Sequence, residues 1–167
     1  QDNEISWINW ELLDKNRAQF DFFKKLIRLR KEHQIFRRDD FFITAHPDDD
    51  HALLPEISWQ GMELGKKDWS ETSQTLAFIL NGSLLEAKDD DFFIMLNGHR
   101  EKQQTFRIPK PPTLHQHNVW VKIIDTGLEA PLDFMSVKFA QTIVADGELT
   151  VEPMGCIVLQ SKNSSVA

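Results

Sequence analysis

Apolar residues recur at helical spacing over residues 15–33, KNRAQFDFFKKLIRLRKEH. Phe20, Phe23 and Ile27 form one stripe and Phe22, Leu26 and Leu29 a second. At about 100° per residue the two stripes cover about half of a helical cylinder, which predicts one amphipathic helix. Asp14 or Asn16 is placed to cap its start, and Lys31 and His33 suit the negative end of its dipole. Arg30 breaks the pattern, because it projects to the middle of the apolar face. Either its stem packs while the guanidinium reaches water, or it is buried and held by a carboxylate or backbone carbonyls, fixing the helix on its neighbour.

Beyond His33 the period shortens to that of strands. Candidate strands are Phe41–Ala45, Glu56–Gln60, Thr75–Asn81, Phe92–Asn97, Gln104–Ile108, Val119–Asp125, Glu148–Glu152 and Cys156–Gln160, separated by stretches rich in Asp, Gly, Pro and Asn. About eight strands after one helix predict a mainly β fold, an antiparallel β-sandwich or barrel, since no second helix is available to cross over between parallel strands. TLAFILNG and DFFIMLNG are apolar on both faces, which marks central strands, and their Asn-Gly pairs read as turns. QQTFRIP alternates and runs into Pro109, Pro111 and Pro112, as an edge strand closed by a rigid turn would.

Composition then narrows the function classes. A chain of 167 residues can bury a real core, about two thirds of its unfolded surface. The net charge of −7 gives no basic stripe to neutralise phosphates, which argues against nucleic acid and anionic membranes as partners. Cys156 stands alone, so neither an intramolecular disulfide nor a multi-cysteine metal site can form. No apolar run approaches the roughly 20 residues of a membrane span. Because the sequence begins at Gln1, a targeting segment on a longer precursor would not be visible in it.

Candidate chemistry is sparse. Asp48–Asp50 with His51, and Asp89–Asp91, lack the spaced pattern of a calcium loop and read as solvated loops. His115 and His117 would point to opposite sides of an extended chain and lack further zinc ligands. The sequence carries no phosphate loop, no serine nucleophile elbow and no recognisable cofactor or metal motif. Trp59, Trp69 and Trp120, in or beside strands, are either sugar-stacking platforms or core and contact residues.

In order, QDNEISWINW, a helix ending KKLIRLRKEHQIFRR, DWSETSQTLAFILNG, DDDFFIMLNG and WVKIIDT resemble the C-terminal end of the isoamylase and glycogen-debranching branch of the alpha-amylase superfamily. The most specific stretch is Gln1 to Trp7. The sequence departs from the family where Trp59 is followed by Gln60-Gly61 instead of a Pro-Asp-Gly turn, and its tail ADGELTVEPMGCIVLQ matches in pattern alone. The resemblance implies that residues 1–33 are the terminal loop and last helix of an absent catalytic (β/α)8 barrel, residues 34–162 a C-terminal β-sandwich and 163–167 a tail. It further implies that the intact protein hydrolyses α-1,6-glucosidic branch points in glycogen or a related α-glucan with retention. The nucleophilic Asp, the acid/base Glu and a further Asp lie on barrel strands that this sequence does not contain, so no catalytic residue maps onto it.

On this reading the sandwich braces its own barrel, without a cofactor and in the cytoplasm or a plastid-like compartment. Trp7, Trp10 and Arg30 are expected at the interface, which in the isolated chain would fold back on the sandwich or self-associate. Asp2 and Asn3 are expected near substrate at the barrel rim, and Trp59 and Trp69 would serve an alternative role as a carbohydrate-binding surface.

Overall fold

The computed structural model describes residues 2–42, 55–112 and 118–163. The expected strand at Phe41–Ala45 falls mostly outside them, as do Gln1, the Asp48–His51 run and the pair His115 and His117. A short helix α1 (Leu12–Lys15) leads into the long helix α2 (Arg17–Glu32). Asn16 sits at the N-cap position of α2, yet its amide bonds back to the Leu12 carbonyl at 3.0 Å and does not cap. Eight strands follow: β1 (Ile57–Gln60), β2 (Thr75–Leu80), β3 (Phe92–Asn97), β4 (Gln104–Arg107), β5 (Asn118–Asp125), β6 (Gln141–Ile143), β7 (Glu148–Val151) and β8 (Gly155–Asn163). Six form one antiparallel sheet in the order β1-β2-β3-β8-β5-β6, and β4 pairs with β7 in a second.

The alternation of side chains along the central strands divides the core in two. Ala77, Ile79, Phe93, Met95, Trp120, Ile157 and Leu159 point to one face and meet Phe106 and Val151 of the small sheet and Ile108 just beyond β4. Leu80, Phe92, Val121, Ile123 and Val158 point to the other, where Phe22, Leu26 and Leu29 of α2 pack on them. A single pleat therefore serves two layers, which is why β2 and β3 read as apolar on both faces.

The Asn-Gly pairs are not simple turns. Asn81 is buried, with its amide bonded to the Pro55 carbonyl, and a 3-10 turn (Gly82–Leu84) follows it. A Cβ on Gly82 would lie 2.0 Å from the Asp90 carbonyl oxygen, so glycine is required there for close backbone approach. Asn97, equally buried, shares its amide among the carbonyls of Lys102, Val151 and Glu152 at 2.8–3.1 Å and ties the two sheets together. Arg30 is exposed, which excludes the buried ion-pair arrangement. Helical spacing sets it between the stripe that packs on the sheet and the stripe that faces outward.

Candidate functional site

The apolar residues of α2 face two ways. Phe22, Leu26 and Leu29 lie on the sheet, and Phe22 meets Phe134 edge-on at 5.8 Å. Phe20, Phe23 and Ile27 face away and are about half exposed. The N-terminal segment extends this outer surface: Ile8, Trp10, Leu12, Leu13, Phe20 and Phe23 line a shallow groove of about 400 Å³, and Trp10 is 72% exposed. Trp7 is also exposed, and its indole N–H donates to Asp2 Oδ1. Asn3 starts a turn, accepting the Ile5 amide at 3.1 Å on its side chain and the Ser6 hydroxyl at 2.9 Å on its carbonyl. Asp2 and Asn3 thus spend their side chains on local bonds that hold the tryptophan-bearing segment in a turn.

Trp59 and Trp69 come together at the edge of the large sheet. Trp59 on β1 packs half-buried against Phe78, and Trp69 meets it edge-on at 5.5 Å while remaining 63% exposed. Trp120 belongs elsewhere: it is fully buried between the sheets and donates its indole N–H to the Pro109 carbonyl at 2.7 Å. Trp120 therefore offers no surface to a ligand.

The Asp89–Asp91 run is not a solvated loop. Asp89 accepts from His33 Nδ1 at 2.6 Å on one oxygen and from the Ile35 amide at 3.0 Å on the other. Asp90 accepts from Gln160 Nε2 at 2.7 Å, and the same amide lies 3.3 Å from His33 Nε2. Asp91 is fully buried: Ser83 donates its amide to the carboxylate at 3.0 Å, and Ser161 exchanges two bonds with the Asp91 backbone. Burial pushes the Asp91 carboxyl above its ordinary range, against the opposing bonds from Ser83. Among the described residues, His33, Asp89 and Asp90 are the one group whose ligand atoms are close enough to hold a metal ion. Their contacts are those of a hydrogen-bonded network, since His33 Nδ1 and Asp89 Oδ1 stand one proton apart. Sequence reasoning missed this network because its members are 56 and 127 residues apart from His33, with no shared motif. The remaining nucleophile, Cys156, is pushed up to about 11 by burial and then by Asp125, so its thiol is inert at neutral pH.

A family model described as "Isoamylase 1-3, C-terminal" matches residues 58–154. This chain belongs to that family. The chain is 34% identical over 111 residues to the "Glycogen operon protein GlgX homolog" of Mycobacterium tuberculosis, a match covering 59% of the chain and 15% of that protein. It is 29% identical over 139 residues to "Isoamylase 3, chloroplastic" of Oryza sativa, covering 80% of the chain and 15% of that protein. Against "Isoamylase SU1, chloroplastic" of Zea mays the identity is 24% over 138 residues, 81% of the chain and again 15% of the relative. The chain thus spans about 15% of the length of these curated relatives. The family match takes in Trp59, Trp69, Asp89 and Asp90 of the isoamylase domain, whereas α2 and His33 lie before it and Gln160 after it. No helix among the described residues is long and apolar enough to cross a membrane.

Proposed function

We propose that this chain serves a debranching hydrolase of α-1,6-glucosidic bonds as a non-catalytic domain that braces the catalytic barrel. The observation that carries this reading is the outer face of α2. A helix already packed through Phe22, Leu26 and Leu29 still presents Phe20, Phe23 and Ile27, continuous with the groove at Trp10. Contiguous apolar surfaces of this kind mark sites of association in soluble proteins. A catalytic barrel is the fitting occupant because the relatives are more than six times longer than the stretch they share with this chain, and their printed names describe isoamylases. On this reading residues 1–33 belong with the barrel, 34–162 form the bracing sandwich and 163–167 a tail. Asp2 and Asn3, in the turn ahead of Trp7, stand near the barrel rim, and Arg30 lies at the border between the two faces of α2. Hydrolysis with retention requires a nucleophile and an acid/base carboxylate about 5 Å apart across a sugar, and the barrel carries them. The test is release of reducing ends from a branched α-glucan: a protein joining this chain to the barrel releases them, and the chain alone does not. Turnover by the chain alone overturns the reading.

A second reading, a carbohydrate-binding surface for α-glucan, is favoured by Trp69, whose exposed indole stands beside Trp59 at a sheet edge. Titrating the chain with maltooligosaccharides while following tryptophan fluorescence tests it. A response abolished by Trp69→Ala supports binding, and an unchanged spectrum at millimolar sugar removes it.

A further inference from the structure

We propose that His33, Asp89, Asp90 and Gln160 form a proton-operated clasp that sets how firmly the C-terminal end of α2 is held on the large sheet. His33 is the residue that ends α2, and its own amide still bonds to the Leu29 carbonyl at 3.1 Å. Its ring is anchored to three other parts of the fold. Nδ1 faces Asp89, Nε2 faces Gln160 of the central strand β8, and the ring edge meets Phe92 of β3 at 4.9 Å. Asp89 repeats the anchorage two residues later through the Ile35 amide, and Ile35 is itself buried in the core beneath the helix. The end of the helix is therefore held by one imidazole and one carboxylate in addition to the apolar contacts of Leu26 and Leu29 with the sheet.

The arrangement of donors defines two states. With His33 neutral, Nδ1–H donates to Asp89, and Nε2 accepts from the Gln160 amide, which also donates to Asp90. Taking up one proton from solvent at Nε2 turns that acceptor into a donor. Gln160 must then turn its amide so that Oε1 faces the ring, releasing Asp90 from its bond, and the His33–Asp89 contact becomes a charge-assisted pair. Burial opposes the charged ring, yet the hydrogen bond and charge of Asp89, with the charges of Asp90 and Glu32, outweigh it and raise His33 above its ordinary 6.5. Lys25 and Arg28 of α2 also line this groove, Lys25 donating to the Phe134 carbonyl and Arg28 paired with Glu32, while the segment facing it across the groove, residues 134–137, is uncharged. Asp89 moves the other way: burial would raise it, but His33 and the amides of Ile35 and Asp90 hold it below the usual carboxylate value.

The signs fix the window. A raised histidine stabilises the folded state fully below pH 6.5 and loses that contribution as pH rises through its folded midpoint. A depressed aspartate contributes above about pH 3.8 and loses its contribution as pH falls through its folded midpoint. The clasp is tightest between those limits and loosens on the alkaline side. If α2 carries the barrel, as proposed above, the same proton also tunes how the domain holds it; the clasp itself does not depend on that reading.

The experiment is a pH titration of the 167-residue chain from 5 to 9, following the histidine ring signals, the Gln160 side-chain amide and amide hydrogen exchange by NMR. His33 should titrate above 6.5, with the Gln160 amide shifting at the same midpoint. Protection of the last turn of α2, taken relative to β3, should fall above that midpoint, tenfold for each pH unit by which it exceeds 6.5. His33→Gln should abolish this pH dependence, and Asp90→Asn should lower the His33 midpoint while leaving the sheet folded. A His33 midpoint at or below 6.5, or unchanged protection across the range in the unsubstituted chain, overturns the clasp whether or not the variants fold. Protection that appears only on adding Zn²⁺, with loss of the ring titration, overturns it in favour of a metal site.

Discussion

At the scale of single residues, polar atoms of buried side chains decide more than the apolar pattern reveals. Trp120 fills the space between the sheets and satisfies the buried Pro109 carbonyl. Trp120→Phe keeps an aromatic ring but strands that carbonyl, so urea unfolding should show a loss of ~1–3 kcal/mol. Asn97, on β3 of the large sheet, provides a sharper case, because its amide donates to the Val151 carbonyl of the small sheet and to those of Glu152 and Lys102. Asn97→Asp would aim a carboxylate at those oxygens, and a destabilisation of about 3 kcal/mol or more is expected in the same assay. Cys156 should resist a thiol reagent at pH 8 in the native chain and react readily in denaturant, since only the thiolate attacks and burial holds it protonated. The sequence exposed both asparagines as Asn-Gly pairs, and both do open turns, Asn81 O accepting the Leu84 amide and Asn97 Oδ1 the His99 amide, but it did not show that their side-chain amides also bind carbonyls elsewhere. Their carbonyl partners come from segments up to 55 residues away, which no local pattern encodes.

For whole elements, the period of apolar residues carried most of the information. β3 runs over Phe92–Asn97, where a run apolar on both faces predicts a central strand, and β2, β4, β5 and β7 lie within a residue or two of expectation. β6 was not legible: Gln141-Thr142-Ile143 is too short and polar to signal a strand, and it forms because β5 offers it an open edge. The two stripes of α2 were visible in sequence, but which would be covered was not, since that depends on where the sheet presents Ile123, Phe92 and Val158. The division is testable by paired substitutions. Leu26→Ala on the inner stripe should cost ~2 kcal/mol of chain stability, less than a fully buried leucine because this one is partly buried. Phe23→Asp on the outer stripe should leave the isolated chain within ~0.5 kcal/mol of the parent, as surface substitutions do.

In the whole molecule the same outer-stripe substitution should behave differently. If the proposed barrel packs on this face, the Phe23→Asp protein joined to it should lose activity at a lower temperature than the parent, because burying an unpaired carboxylate in an interface is costly. Equal thermal inactivation of the two proteins would show that the outer face of α2 does not carry the barrel. The sequence by itself determined the class of the fold, one amphipathic helix and a run of antiparallel strands, and the resemblance to the isoamylase family that the comparison with known proteins then showed. It did so because periodicity and motif order are properties of neighbouring residues. The tertiary structure alone decided that the aspartates before β3 are anchors, that Trp120 is sealed between two sheets while Trp69 faces solvent, and that one stripe of α2 is covered and the other left open. Those outcomes depend on which distant strands bring a partner within hydrogen-bonding or van der Waals reach, a distance that sequence separation does not measure.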